Sequence, residues 1–330
     1  MNVHARVIGT GSYLPPRIID NEEVSRPLSM DGDAVYQLTG IRTRHWAHEE
    51  QASSDLAEEA ARRACTSAGI PPHTVDAVIV SSTSPDMAFP STACLIQSRL
   101  GMKGAAAFDQ SASCSGFLYG LAMADRFIRS GQYRRCLVVA AEVKSRSLDR
   151  KDPNTAIIFG DGAGAVVVER QEARTQPWGI LGIRLYADGT HHRLIGIAAG
   201  GSRRPASRKT LADGQHVLRM QGGPLFRIAV KRLAAAAKDL LKEYGYGSEH
   251  VASAIFHQAN GRLLEAVRRR LDLLPEQVYS VIERVGNASS ASLPIALDFA
   301  NQEGRLRAGD LLLLGTFGGG LTWATGLMRW

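Results

Sequence analysis

The sequence has 330 residues, 45% of them hydrophobic and 22% charged, and carries a formal net charge of +7. Such a chain has the composition of a soluble globular protein with ample volume for a core, and no apolar run approaches the roughly 18 residues of a membrane span. The basic balance favours an acidic partner, while aromatics, only 6% and not interleaved with the basic clusters, argue against nucleic acid.

Residues 1–10 read as a strand entering a Gly turn. They lack the apolar stretch and cleavage site of a signal peptide, so a cytoplasmic protein is expected. Beyond them the chain is written twice. In the first copy, helix 53–68 leads to strand 76–82, helix 91–100, strand 105–109, a turn around Cys114, helix 116–129 and strand 136–143. In the second, helix 224–244 leads to strand 252–256, helix 262–271, strand 277–282, a turn around Asn287, helix 292–302 and strand 310–316. The helices show apolar residues at three- and four-residue spacing and the strands are short apolar runs. Strand alternating with helix argues for an α/β protein with mostly parallel sheets covered by helices. The halves, 1–174 and 175–330, are expected to share one core, joined by a polar connection over 170–177, and segment 198–215 reads as a surface loop.

Three small-residue turns follow apolar strands: SASCSGF (111–117), FHQANGR (256–262) and GNASSAS (286–292). They carry Cys114, His257 and Asn287. A thiol nucleophile, an imidazole and a side-chain amide are the parts needed to hold an acyl group and stabilise an oxyanion. Cys114 stands where a strand gives way to a helix, and a thiol at a helix start is expected to have its pKa lowered toward roughly 3.5–7.5. The other cysteines, Cys65, Cys94 and Cys136, are expected to be reduced packing residues. No CxxC pair or His cluster accompanies them, so no metal is expected. Phe159-Gly160-Asp161-Gly162-Ala163-Gly164 is reminiscent of a nucleotide loop, but no GxGxxG or Walker pattern follows a first strand.

With these turns, the stretches IGTGSYLPP (8–16), TGIRTRHWA (39–47), FGDGAGAVV (159–167), HQAN (257–260) and GTFGGGLTWA (315–324) make the chain resemble the β-ketoacyl-acyl-carrier-protein synthase III family over essentially its whole length. The resemblance implies a duplicated thiolase-like fold, a five-layered αβαβα stack in which two mixed sheets sandwich central helices. It implies an acyltransferase that condenses a Cys114-bound acyl group with malonyl-acyl carrier protein by decarboxylation, as a homodimer and without a metal or bound organic cofactor. The pathway would be fatty-acid initiation or a specialised acyl or polyketide-type route. By the same resemblance His257 and Asn287 hold the malonyl thioester oxygen, and backbone N–H groups of Cys114 and Gly319 form the oxyanion hole. Phe159 lies at the acyl pocket, near which FGDGAG is a structural turn. Phe89 reaches across the dimer to close the neighbour's acyl pocket, and Asn260 contacts the pantetheine. Arg227, with Lys231 and Arg232, and Arg262, with Arg268, Arg269 and Arg270, match the carrier-protein docking surface, whose partner is an acidic helix.

The chain departs from the family where coenzyme A is gripped. Ala34 stands in place of a Trp, Leu38 and Pro153 in place of two Arg, and Gly223 in place of an Asn. Losing a stacking aromatic and two phosphate-binding charges weakens that grip, unless Arg42, Arg44, Arg203 or Arg204 replaces it. The donor is therefore an acyl-CoA held differently or an acyl group on a carrier protein. The other readings are acyl transfer to a hydroxyl or amine without decarboxylation, and a non-catalytic partner subunit of a synthase.

Overall fold

A computed structural model describes residues 3–172 and 178–330. Each half builds one five-stranded sheet. The first contains β1 (Val3–Tyr13), β2 (Ala77–Ser81), β3 (Ala106–Gln110), β4 (Arg135–Glu142) and β5 (Gly162–Glu172), in the spatial order β3-β2-β4-β5-β1. The second contains β6 (Gly179–Ala187), β7 (Ser253–Phe256), β8 (Val278–Tyr279), β9 (Leu311–Gly318) and β10 (Thr322–Arg329), in the order β8-β7-β9-β10-β6. The two orders are the same permutation. In both halves the second strand runs parallel to the third and fourth, and the fifth is antiparallel to the fourth and first.

Helices fill the three remaining layers. α1 (Ser53–Ser67) and α2 (Thr92–Arg99) cover the outer face of the first sheet, and α4 (Gly222–Glu243) with α5 (Gly261–Arg270) covers the outer face of the second. Between the sheets lie α3 (Gly116–Arg129) and α6 (Ser292–Gln302). The central helices bury side chains in both directions: Phe117, Leu118 and Leu121 of α3 and Ile295, Ala296 and Leu297 of α6 share one core with Ile79, Val138, Leu312 and Leu314 of the sheets. Burial on more than one side is what an apolar helix in the middle layer requires. The stack is the duplicated five-layered arrangement the family resemblance implies.

Four local expectations are corrected. β1 does not turn at its glycines but continues, with a register shift between Val7 and Gly9, through Gly9 and Gly11 to Tyr13. The reason is packing: α1 presents an alanine stripe, Ala57, Ala60, Ala61 and Ala64, and the helix backbone comes so close that a Cβ on Gly11 would sit 2.3 Å from Ala64 N. The strand expected over 277–282 is only Val278–Tyr279, followed by the helical turn Ile282–Val285. Gln258 Oε1 accepts from Ser280 Oγ at 2.8 Å and from the Val281 N–H at 2.9 Å, which draws that backbone off the ladder. Segment 198–215 is largely exposed but includes the short helix Arg208–Ala212. The polar connection begins later than expected, because Arg170 to Glu172 still belong to β5; the remainder, with the division at 174/175, falls outside the described residues.

Gly11→Ala tests the contact between α1 and β1. Overpacking typically costs about 1–3 kcal/mol, and here the obstacle is helix backbone, so a loss at the upper end of that range is expected in urea unfolding. An unchanged unfolding midpoint would show that the helix can withdraw freely.

Candidate active site

Cys114 lies in the 3₁₀ turn Ser113–Ser115 between β3 and α3, and Ser113 holds φ +50°. The second half repeats this device: the 3₁₀ turn Ser289–Ala291 leads into α6, with Ser289 at φ +51°. A left-handed non-glycine residue is uncommon and such residues gather at functional sites. The matching backbone places Ser290, not Asn287, as the counterpart of Cys114; Asn287 stands three residues earlier in the equivalent connection. Gly318, at the end of β9, packs against the Cys114 turn so tightly that a Cβ there would meet Cys114 N at 2.6 Å.

The Cys114 thiol does not have the lowered pKa expected from a helix start. Burial dominates and pushes it up; a hydrogen bond with Ser289 pulls it down, the Glu142 charge raises it, and the Lys144 charge lowers it. The geometry explains why, because the 3₁₀ turn sets Cys114 ahead of α3 and the residue is only 7% exposed. Its sulfur lies 3.5 Å from Ser289 Oγ and 3.9 Å from Ser113 Oγ. Cys65 and Cys136 are buried packing residues whose thiols burial drives to about 11 and about 12, whereas Cys94 is exposed, against expectation. It sits on the outward side of α2, whose buried residues are Thr92, Ala93 and Ile96.

His257 follows β7, and its backbone N–H donates to Gly315 O at 2.7 Å. Its Nδ1 lies 2.5 Å from Ser292 Oγ, which also accepts from the Gln258 N–H at 3.1 Å. Among the described residues the Ser292 hydroxyl has no other acceptor, so it donates to Nδ1 and leaves the proton of the ring on Nε2. Burial lowers the His257 pKa to about 4, which makes the ring a neutral donor at pH 7. Asn287 is fixed in orientation: Oδ1 accepts from the Ser289 N–H at 2.9 Å and Nδ2 donates to Ala259 O at 3.2 Å. One Nδ2 hydrogen is left for a ligand.

Sequence reasoning missed the group behind the thiol. Glu142, at the end of β4, is fully buried. Its carboxylate accepts from Ser84 Oγ (2.7 Å), Ser290 Oγ (2.8 Å), Ser289 Oγ (3.1 Å), the Thr83 N–H and hydroxyl, and Lys144 Nζ (3.1 Å). Burial works to raise its pKa, but Lys144 and the hydroxyl donors outweigh it and hold the group below the ordinary carboxylate range. A charge inside the apolar run CLVVAAEV was the available signal. Asp161, in the FGDGAG stretch, is similarly structural: it accepts from the Ala47 N–H and from the Ser145 N–H and hydroxyl. From Gly162 onward that stretch is strand rather than turn.

Cys114, His257 and Asn287 meet at one cavity of about 680 Å³, which Phe159, Gly318 and Gly319 also line. All three are under 10% exposed, whereas Leu38 and Arg262, on the same cavity, are exposed and mark its mouth. Pro153 and Gly223 line it too. Asn260 lines the cavity while capping α5, its Oδ1 accepting from the Arg262 N–H at 2.8 Å and its Nδ2 donating to Leu38 O at 3.3 Å. Phe89 does not line the cavity of its own chain; it is 86% exposed, which excludes a core role and leaves any pocket role to a second protomer. Arg227 and Arg270 are exposed, but Arg268 and Arg269 both clamp Glu265, and Arg268 also donates to Leu273 O. Among the described residues no cluster of three or more His, Cys, Asp or Glu could hold a metal ion, and no helix is long and apolar enough to cross a membrane.

Known proteins share both sequence and geometry. Residues 108–189 match the 3-oxoacyl-[acyl-carrier-protein] synthase III family and residues 241–330 its C-terminal part, so Cys114, His257 and Asn287 all fall within matched segments. The β-ketoacyl-[acyl-carrier-protein] synthase III of Caldanaerobacter subterraneus is 44% identical over 328 residues, covering 99% of this chain and 98% of that one. The crystal structure of 3-oxoacyl-[acyl-carrier-protein] synthase III from Aquifex aeolicus superposes with a TM-score of 0.90 at 39% identity, covering 99% and 100% of the two chains. The priming β-ketosynthase of the R1128 polyketide pathway superposes at 0.91 with 31% identity, covering 99% and 96%. With this identity over nearly its full length, the chain belongs to the β-ketoacyl-[acyl-carrier-protein] synthase III family.

Proposed function

We propose that this chain is an acyltransferase that condenses a Cys114-bound acyl group with malonyl-acyl carrier protein. The observation that carries the reading is the convergence of Cys114, His257 and Asn287 at the buried end of one cavity open to solvent at the other. In the first half-reaction the Cys114 sulfur attacks the donor thioester carbonyl, the donor C–S bond breaks, and the thiol proton leaves on the departing sulfur. In the second, a malonyl thioester oxygen rests on His257 Nε2–H and Asn287 Nδ2–H. The bond to the carboxylate breaks, carbon dioxide leaves, and the electron pair becomes an enolate held by those two donors. A pKa of about 4 suits His257 to donation rather than to general-base work. The carbanion then attacks the acyl–Cys114 carbonyl, whose oxyanion is met by the N–H groups of Cys114 and Gly319. A pre-aimed donor of this kind is typically worth about 2.7–4 kcal/mol in the barrier. The sulfur leaves as product forms and regains a proton.

The cavity mouth bears on the donor. Leu38, Pro153 and Gly223 offer neither an aromatic face nor a phosphate charge. Of the candidate replacements, Arg44 is wholly buried, and Arg42 pairs with Glu283 at 2.6 Å while lying 4.0 Å over the Tyr36 ring. Arg262 at the mouth and the exposed Arg227 beside Phe226 suit an acidic carrier protein. Arg269 and Arg270 lie about two turns further along α5 and extend the same surface. The donor is thus gripped through its pantetheine arm and carrier rather than through a coenzyme A nucleotide. The enzyme would work in the cytoplasm as a homodimer, with Phe89 of each protomer closing the other's acyl pocket.

Two predictions follow from this division of labour. His257→Ala and Asn287→Ala are expected to cut carbon dioxide release from a malonyl thioester by about a hundredfold, the scale of one lost oxyanion donor, while acyl-enzyme formation on Cys114 falls far less. Equal loss of both half-reactions would contradict the assignment. Coenzyme A titrated by calorimetry is expected to bind about a hundredfold more weakly than to a relative carrying the Trp and both Arg, a difference of about 2.8 kcal/mol. Low-micromolar binding would reveal a replacement clamp.

A further inference from the structure

Glu142, Lys144 and Ser289 have no part in the chemistry described above, yet they stand directly behind the nucleophile. Ser289 Oγ lies between two groups, 3.5 Å from Cys114 Sγ and 3.1 Å from Glu142 Oε1. A hydroxyl has one proton and can give it to only one of them at a time. Its position is not free to wander, because Ser289 is held at φ +51° and its N–H donates to Asn287 Oδ1 at 2.9 Å. Glu142 does not need the Ser289 proton: Ser84, Ser290, Lys144 and both donors of Thr83 already serve it.

Resting on the reading of Cys114 as nucleophile, we propose that Ser289 is a positioning residue that reorients its hydroxyl between Glu142 and the Cys114 sulfur as the sulfur loses its proton. While Cys114 is a thiol, Ser289 O–H points to Glu142 and its lone pair accepts the S–H, which aims the sulfur. As the sulfur gives up its proton on attacking the donor carbonyl, the proton passing on to the departing donor sulfur, and again when the Cys114 sulfur leaves the condensation intermediate as a thiolate, Ser289 swings its O–H to the negative sulfur, and Glu142 stays satisfied by its other partners. No bond to Ser289 forms or breaks. The charged groups facing the sulfur are Glu142, which opposes thiolate, and Lys144, which favours it; His257, on the same cavity, is neutral. With these opposed, the hydroxyl is the adjustable partner.

The test is the pH dependence of Cys114 alkylation by iodoacetamide, read by peptide mass spectrometry in a Cys94→Ser background that removes the exposed competitor. Ser289→Gly deletes the hydroxyl while relaxing the positive φ, and Ser289→Ala deletes it with the original backbone demand. Both are expected to raise the alkylation midpoint by about one pH unit, the scale of one hydrogen bond to a charged group. Ser290→Ala, which removes a Glu142 donor without touching the sulfur, is expected to leave the midpoint in place. Acyl transfer at pH 7 should fall about tenfold in the Ser289 variants and recover as pH is raised. A midpoint that stays or drops in both Ser289 variants, or one that rises equally in Ser290→Ala, overturns the proposal. The reading of Cys114 as nucleophile fails separately, by the acyl group settling on another residue in the otherwise unaltered protein.

Discussion

A carboxylate taken out of water costs several kcal/mol unless it is paired and hydrogen-bonded, and Glu142 meets that condition with groups from both halves of the chain. Lys144, Thr83 and Ser84 come from the first half, Ser289 and Ser290 from the second. The two 3₁₀ turns that carry Cys114 and Ser289 are held against each other at this point. Cys114, the proposed nucleophile, therefore stands against an ion-pair and hydroxyl network lying across the seam of the duplication. Asp298 makes a second tie of the same kind, accepting from Thr10 and Ser12 at 2.6 Å each and so binding α6 to β1. Neither half presents a complete site alone.

Burial has opposite effects on the two titratable groups lining the deep end of the cavity. It keeps His257 neutral, with its pKa near 4, so the ring serves as a donor. The same loss of water drives the Cys114 thiol upward, which disfavours the reactive thiolate. On the proposed chemistry, a site that excludes water to stabilise an enolate needs local help for its sulfur. Hydroxyls provide that help without adding a charge to be desolvated. Ser292 meets the imidazole from the first residue of α6, and Ser289 meets the thiol from the 3₁₀ turn just ahead of it.

The sequence made the architecture legible because the strand and helix periods are strong and occur twice. It made the three turns legible because their residue types are chemically unusual together. Short-range pattern could not reveal that β1 continues through Gly9 and Gly11, since that depends on a helix some fifty residues later packing against them. The strand expected over 277–282 falls short for a similar reason, as a buried Gln258 side chain competes for its backbone. The thiol pKa was inferred from the helix start alone, and desolvation, which only the tertiary structure reveals, outweighs it. The expected docking surface took no account of Glu265, which Arg268 and Arg269 both reach from one turn along the helix. The 86% exposure of Phe89 comes from the structure and not from the sequence pattern.

The claim on which this account rests is that the acyl group is carried on Cys114. The protein, incubated with an acyl-carrier or acyl-CoA donor and quenched before malonyl thioester is added, should gain the mass of a single acyl group. Peptide mapping should place it on Cys114, and Cys114→Ala should gain none. An acyl group on the exposed Cys94, or one that persists in Cys114→Ala, would contradict the account.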